Sequence, residues 1–184
     1  MSMGASTGIA QGLSLYNTER RVVAFLGDST FFHAGLPGIV NAVFNRHPIT
    51  LIVMDNGTTA MTGHQDHPGT GKNFNGPSTR IPVEQVLKGL GVTDLARVDT
   101  YDQNALTKAV EKALESPGFS VVIAEHPCML KFTREHSRKP GYTRRHVNVG
   151  SGCTLSGSVL KDSAAPRSQG TPRPAGCPPT TTSA

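Results

Sequence analysis

Four short apolar runs punctuate the chain: RVVAFLG at 21–27, ITLIVMD at 49–55, residues 96–100, and FSVVIAE at 119–125. Near-continuous runs of this length, rich in β-branched residues, predict strands covered on both faces. Between them the spacing becomes helical. Residues 4–16 (GASTGIAQGLSLY) predict a helix that opens on a small-residue turn. A second helix is expected over about 37–45, with Pro37 at its first position. Residues 82–90 predict a short helix stopped by Gly91, and Asp102 caps another whose apolar stripe is Leu106, Val110, Ala113 and Leu114. Residues 56–80 predict a long loop with five Gly, two Pro and two His. A loop that long inside a domain is commonly functional. Strand–helix alternation of this kind predicts an α/β fold: three layers, a mainly parallel sheet with helices on both faces. Ligands of such sheets sit beyond the carboxyl ends of the strands. Two strands end in an acid followed by loop, at Gly27-Asp28 and at Asp55-Asn56, so both loops are expected at that rim.

Composition divides the 184 residues unevenly. From 151 to 184, Ser, Thr, Gly, Pro and Ala fill 24 of 34 positions and no aromatic occurs, which predicts disorder. Residues 1–130 carry 9 Lys/Arg against 11 Asp/Glu, whereas 131–146 carry 6 against 1. The basic pI of 9.4 therefore belongs to the C-terminal part. The expected organisation is a folded domain over 1–130, a basic connector over 131–150, and a tail over 151–184. The connector reads first as a solvated strip and second as a docking strip for an acidic partner. It has only Phe132 and Tyr142 as aromatics, which argues against nucleic acid. No apolar run approaches the roughly 18–20 residues a membrane helix needs. The start, MSMGASTG, has no basic n-region, and three cysteines are too few for a disulfide scaffold. A cytoplasmic location is expected.

The candidate chemistry lies at the rim. Asp28 and Asn56, 28 residues apart, offer hard oxygen ligands that suit Mg²⁺ or Ca²⁺ and not zinc. GLPG at 35–38 reads as a helix start attractive to phosphate. On spacing alone, a turn carboxylate and an Asx-turn asparagine remain the more economical reading. His33 reads as a hydrogen-bonded structural residue or as one facing a ligand. His64 and His67 form an H-x-x-H pair without a third ligand at useful spacing, so they read as lid or solvated loop residues.

The wider strings change that balance. MGASTGIAQGL at 3–13, GDSTFFHAGLPGIVNAVFN at 27–45 and DNGTTAMTGHQDHPGTG at 55–71 resemble the thiamine diphosphate domain of indolepyruvate ferredoxin oxidoreductase alpha subunits. The resemblance covers roughly residues 1–148. It implies thiamine diphosphate and Mg²⁺ as cofactors, with Asp28 and Asn56 as side-chain metal ligands and the Thr58 carbonyl as a third. It places Gly4, Ala5 and Ser6 beside the diphosphate and makes Gly27, Ser29 and Thr30 part of the same cofactor site. Thr59, Ala60 and Met61 would continue the cradle, and His33 would face the thiazolium or a substrate carboxylate. Gly57 stands where the family commonly has Arg or Ser.

The implied activity is oxidative decarboxylation of arylpyruvates such as indolepyruvate to acyl-CoA, with ferredoxin as acceptor and a beta subunit as partner. Members of this family also carry [4Fe–4S] clusters on a ferredoxin-like segment. Here Cys153 is followed by Ser156 and Val159, Ala165-Pro166 stands where Cys-Pro is expected, and Cys177-Pro178 is a lone echo. The tail therefore reads as a degraded ferredoxin-like remnant that cannot ligate those clusters. The carboxylate that activates the aminopyrimidine is not visible in residues 1–184, so the chain is expected to be a fragment, inactive alone. A non-redox thiamine-dependent decarboxylase or synthase is the alternative enzyme, and a non-catalytic interaction module the alternative class. The thiamine reading requires Asp28 and Asn56 to meet at one rim.

Overall fold

A computed structural model describes residues 2–141, apart from 18 and 138. Its centre is a parallel sheet of four strands: β1 (Val22–Gly27), β2 (Ile49–Asp55), β5 (Asp94–Asp99) and β6 (Ser120–Glu125), in the order β1-β2-β6-β5. All four apolar runs thus became strands. The register aligns Gly27 with Met54, and Asp55 with Glu125 and thence Asp99, so every acidic strand end reaches the same rim.

Strand alternation fixes which side chains face which layer. Ala24, Leu26, Leu51, Val53, Val121 and Ile123 share the main core with Ala10 of α1 (Ala5–Tyr16), Ile39 and Ala42 of α3 (Leu36–Phe44), and Val83 and Leu87 of α4 (Val83–Gly89). The opposite face meets α5 (Gln103–Glu115), capped by the Asp102 carboxylate as expected. There the buried Thr50 and Ser120 hydroxyls both donate to the Ala113 carbonyl, at 3.0 and 2.8 Å. Because α5 lies over β5 and β6, Phe25 and Met54 on this face stay exposed.

Small residues bring α1 against α3 and the start of α1 against the turn that precedes α3. A Cβ at Gly38 would collide with the Thr7 hydroxyl, so only glycine permits this approach. The Gln11 amide donates to the Gly38 carbonyl at 2.8 Å and accepts from Asn41, satisfying the buried polar groups of the seam. At Gly4, φ is +89°, and a Cβ there would sit 2.6 Å from the Ala34 Cβ.

Three features differ from the sequence reading. The helix after β1 starts at Asp28, not near 37: α2 (Asp28–Thr30) passes through a π-helical turn, Phe31–Gly35, into α3. GLPG at 35–38 is therefore interior to a helical path, and its N–H groups are not a free helix start. Residues 56–80 are more ordered than a bare loop. They hold a bridge between Thr59 and Gln65, a 3₁₀ turn at Pro68–Thr70, and a hairpin of β3 (Lys72–Asn73) and β4 (Gly76–Pro77). Finally, the first residues of the basic connector belong to a helix, α6 (Met129–His136), whose Lys131 ammonium lies 3.7 Å from Asp66. The expectations for 142–184, including the tail, Cys153 and Cys177, lie outside the described residues. Among the described residues no helix is long and apolar enough to cross a membrane.

Candidate functional site

Asp28 is the buried acid at the end of β1, 3% exposed. Its Oδ1 accepts from the Ser29 N–H at 2.6 Å. Its Oδ2 accepts from three successive backbone N–H groups of the loop after β2: Asn56 at 3.1 Å, Gly57 at 2.8 Å and Thr58 at 3.3 Å. The φ of +70° at Gly57 is what lets the loop curl its N–H groups onto one oxygen. The Asn56 side-chain oxygen accepts from the Thr58 N–H at 3.1 Å. The turn reading of the pair is seen directly: Asn56 makes an Asx turn, and that turn wraps the Asp28 carboxylate. The two residues meet at one rim, as the thiamine reading requires.

The rim loops are stitched a second time. The Thr59 hydroxyl donates to the Ser29 hydroxyl at 2.8 Å, and the buried Thr58 hydroxyl donates to the Gln65 carbonyl at 3.2 Å. Gly27 is extended and Thr30 lies in the short helix α2. Ala5 opens α1, and the Ser6 hydroxyl donates to the Phe25 carbonyl of β1 at 2.7 Å. With Gly4 against Ala34, this places the first turn of α1 beside the β1–α2 junction. Ala60 is half-buried, whereas Met61 is 88% exposed. His33 is exposed and lines a groove of about 620 Å³ with His67, Lys72, Phe74 and Ile81.

Two residues named in the sequence reading take places that it did not give them. His67 is 4% exposed, not solvated, and its Nε2 lies 3.2 Å from Asp28 Oδ2. The distance suits an ion pair, but the nitrogen is off-line for a hydrogen bond and has no hydrogen-bond partner. Asp55 is the other. Strand alternation sets it on the face of Leu51 and Val53, where burial first, and the neighbouring Asp28 carboxylate second, push its carboxyl up. For Asp28 itself, burial raises the carboxyl, but the His67 contact and the Ser29 and Gly57 N–H groups outweigh it and hold it below the usual carboxylate range. The signal for His67 was the Pro68-Gly69 turn that follows it, in which the Gly69 N–H donates to Nδ1 at 3.2 Å. His64 goes elsewhere, its Nε2 3.6 Å from the Cys128 sulfur, so the two histidines do not act as a pair.

This donor set fits a divalent cation. A buried carboxylate beside a second carboxylate, with an amide oxygen on the same loop, supplies hard oxygens and excess negative charge. Among the described residues no three His, Cys, Asp or Glu gather to hold a metal. Amide and carbonyl oxygens would have to complete the shell of any cation held there.

The C-terminal TPP binding domain of thiamine pyrophosphate enzymes matches residues 1–124. The chain belongs to that family. Within it, indolepyruvate oxidoreductase subunit IorA of Pyrococcus horikoshii is 42% identical over 159 residues, which cover 77% of this chain and 24% of the relative. IorA of Thermococcus kodakarensis is 43% identical over 143 residues, covering 71% and 22%. The chain thus spans about a quarter of the length of these curated relatives. A solved 2-oxoglutarate:ferredoxin oxidoreductase from Magnetococcus marinus superposes with a TM-score of 0.59 at 19% identity, covering 72% of this chain and 50% of that one. A 4-hydroxybenzoylformate decarboxylase from Rhodococcus jostii superposes with a TM-score of 0.51 at 19% identity, covering 68% and 23%. The TPP-binding fold is therefore common to redox and non-redox enzymes. Sequence, not fold, carries the likeness to the indolepyruvate relatives.

Proposed function

We propose that this chain is the cofactor-holding domain of an indolepyruvate-type 2-oxo acid:ferredoxin oxidoreductase, and that it binds thiamine diphosphate through Mg²⁺ at the sheet rim. The observation that carries the reading is the Asp28 carboxylate, buried at a strand end and enclosed by the N–H groups of 56–58. The Asp28 carboxylate, the Asn56 side-chain oxygen and the Thr58 carbonyl would hold the metal. Gly4, Ala5 and Ser6 at the start of α1, with Gly27, Ser29 and Thr30, would line the diphosphate, and Thr59, Ala60 and Met61 the far wall. His33, on the groove with Lys72 and Phe74, would meet the substrate side. When bound, the cofactor supplies the carbanion chemistry and electron sink that decarboxylation of a 2-oxo acid needs. This chain's contribution is charge and orientation, since a fixed cation neutralises the diphosphate and sets its position. Arylpyruvate substrates, coenzyme A as acyl acceptor, ferredoxin as electron acceptor and a beta subunit belong to the same proposal.

Calorimetry tests it. Thiamine diphosphate should bind the purified chain in Mg²⁺ buffer and not in EDTA. Asp28→Ala should abolish the heat of binding. Metal-independent binding, or wild-type binding by Asp28→Ala, would remove the assignment.

A further inference from the structure

His67 is out of place as a packing residue. Its ring lies against Phe32, with centroids 5.8 Å apart, in a pocket where a wholly apolar side chain would leave no polar atom to satisfy. Instead it brings a buried nitrogen with no hydrogen-bond partner to within 3.2 Å of the Asp28 carboxylate. The ring's other nitrogen settles which tautomer it is. The Gly69 N–H donates to Nδ1 at 3.2 Å, so Nδ1 is the bare acceptor and a neutral ring carries its proton on Nε2.

The carboxylate's own partners decide what this proton can do. Oδ2 already receives three backbone N–H groups, and His67 stands on the same oxygen. Oδ1 receives only the Ser29 N–H. With about two lone pairs per carboxylate oxygen, Oδ1 is the oxygen left with capacity for a cation.

We infer that His67 is a positioning residue for the metal: its Nε2 edge backs Oδ2 of Asp28 at 3.2 Å, without a hydrogen bond in this structure, and leaves Oδ1 to face the cation. The inference rests on the metal reading above. Partners behind a metal-bound carboxylate orient it and tune affinity in the same way as the better-known partners behind metal-bound histidines. His64, three residues earlier at a φ of +66°, turns to Cys128 and takes no part.

The test uses the full chain with thiamine diphosphate, and Mn²⁺ read by electron paramagnetic resonance in place of Mg²⁺. His67→Phe keeps the ring against Phe32 and removes both nitrogens, whereas His67→Gln keeps an N–H near the position of Nε2. His67→Phe should weaken Mn²⁺ binding by roughly tenfold or more, and His67→Gln by no more than about threefold. His64→Gln should bind as wild type. Equal Mn²⁺ affinity for His67→Phe and wild type, with binding lost in Asp28→Ala, would overturn this inference and leave the metal reading standing. Wild-type affinity in Asp28→Ala would overturn both. A second measurement needs no variant. Long-range ¹H–¹⁵N spectra of histidine-labelled wild type should show His67 with its proton on Nε2 and a bare Nδ1, and a proton on Nδ1 would overturn the inference.

Discussion

Although burial raises it, the Asp28 carboxyl is held below the usual carboxylate range, because the His67 contact and the backbone N–H groups of Ser29 and Gly57 outweigh that effect. Hydrogen bonds to a charged acceptor contribute about 1.5–3 kcal/mol each, and N–H groups left unpaired by its loss would cost a similar amount. The same logic gives a pH prediction at another rim acid. Glu125 is held below the usual carboxylate range, chiefly because the Arg97 guanidinium donates to it at 2.5 Å. A folded-state value depressed in this way stabilises the protein fully above the unfolded value, near pH 4.3, and the gain is lost as pH falls through the folded value. Urea unfolding of wild type should therefore weaken more steeply below about pH 4.3 than unfolding of Glu125→Gln. Parallel profiles would show that the Arg97 pair adds nothing, as many exposed pairs do. Asp28 and Asn56 were legible in the sequence because each follows an apolar strand, which places it at the rim before any contact is known. For His67 only the Pro68-Gly69 turn was a local signal; its contact with Asp28, 39 positions earlier, is encoded by no local pattern.

At the scale of elements, the four sheet strands and the helices α1, α4 and α5 were legible, since hydrophobic period and caps such as Asp102 are local signals. The helical stretch after β1 was read as starting at Pro37. The sequence DSTFFHAG has no helical stripe, and its helix is imposed by the strand end and by contacts of Phe31 and Gly35 with the core. The hairpin β3–β4 escaped for a related reason: its apolar residue, Phe74, is exposed and belongs to no periodic stripe. Helix α6 does have apolar residues on one side, at Met129, Leu130 and Phe132, but it is short and its basic residues read as a connector. The α1–α3 seam yields a prediction that belongs to this scale. A Cβ at Gly38 would meet the Thr7 side chain, and overpacking of that kind costs about 1–3 kcal/mol. Gly38→Ala should lose that much stability by denaturant unfolding, and adding Thr7→Ala should recover part of it. Additive losses would mean that the two helices do not meet through this pair.

For the whole molecule, the question is how much of a reaction one such domain can perform. Thiamine chemistry of the ferredoxin-linked kind needs a metal–diphosphate anchor, a group that activates the aminopyrimidine, and an electron exit. In the proposed function, the rim would supply the residues for the anchor. The electron exit needs four cysteine ligands per [4Fe–4S] cluster, and the sequence holds three cysteines in all. One of these, Cys128, lies half-buried against His64. The chain alone should therefore bind thiamine diphosphate with Mg²⁺ yet reduce no ferredoxin when given indolepyruvate and coenzyme A. The decisive measurement pairs the two readouts on one preparation: calorimetric binding of the cofactor, and anaerobic reduction of ferredoxin followed by absorbance. Binding without reduction separates anchoring from turnover. Reduction by the chain alone would require an electron route that three cysteines do not provide, and the division of labour argued from the rim would have to be abandoned.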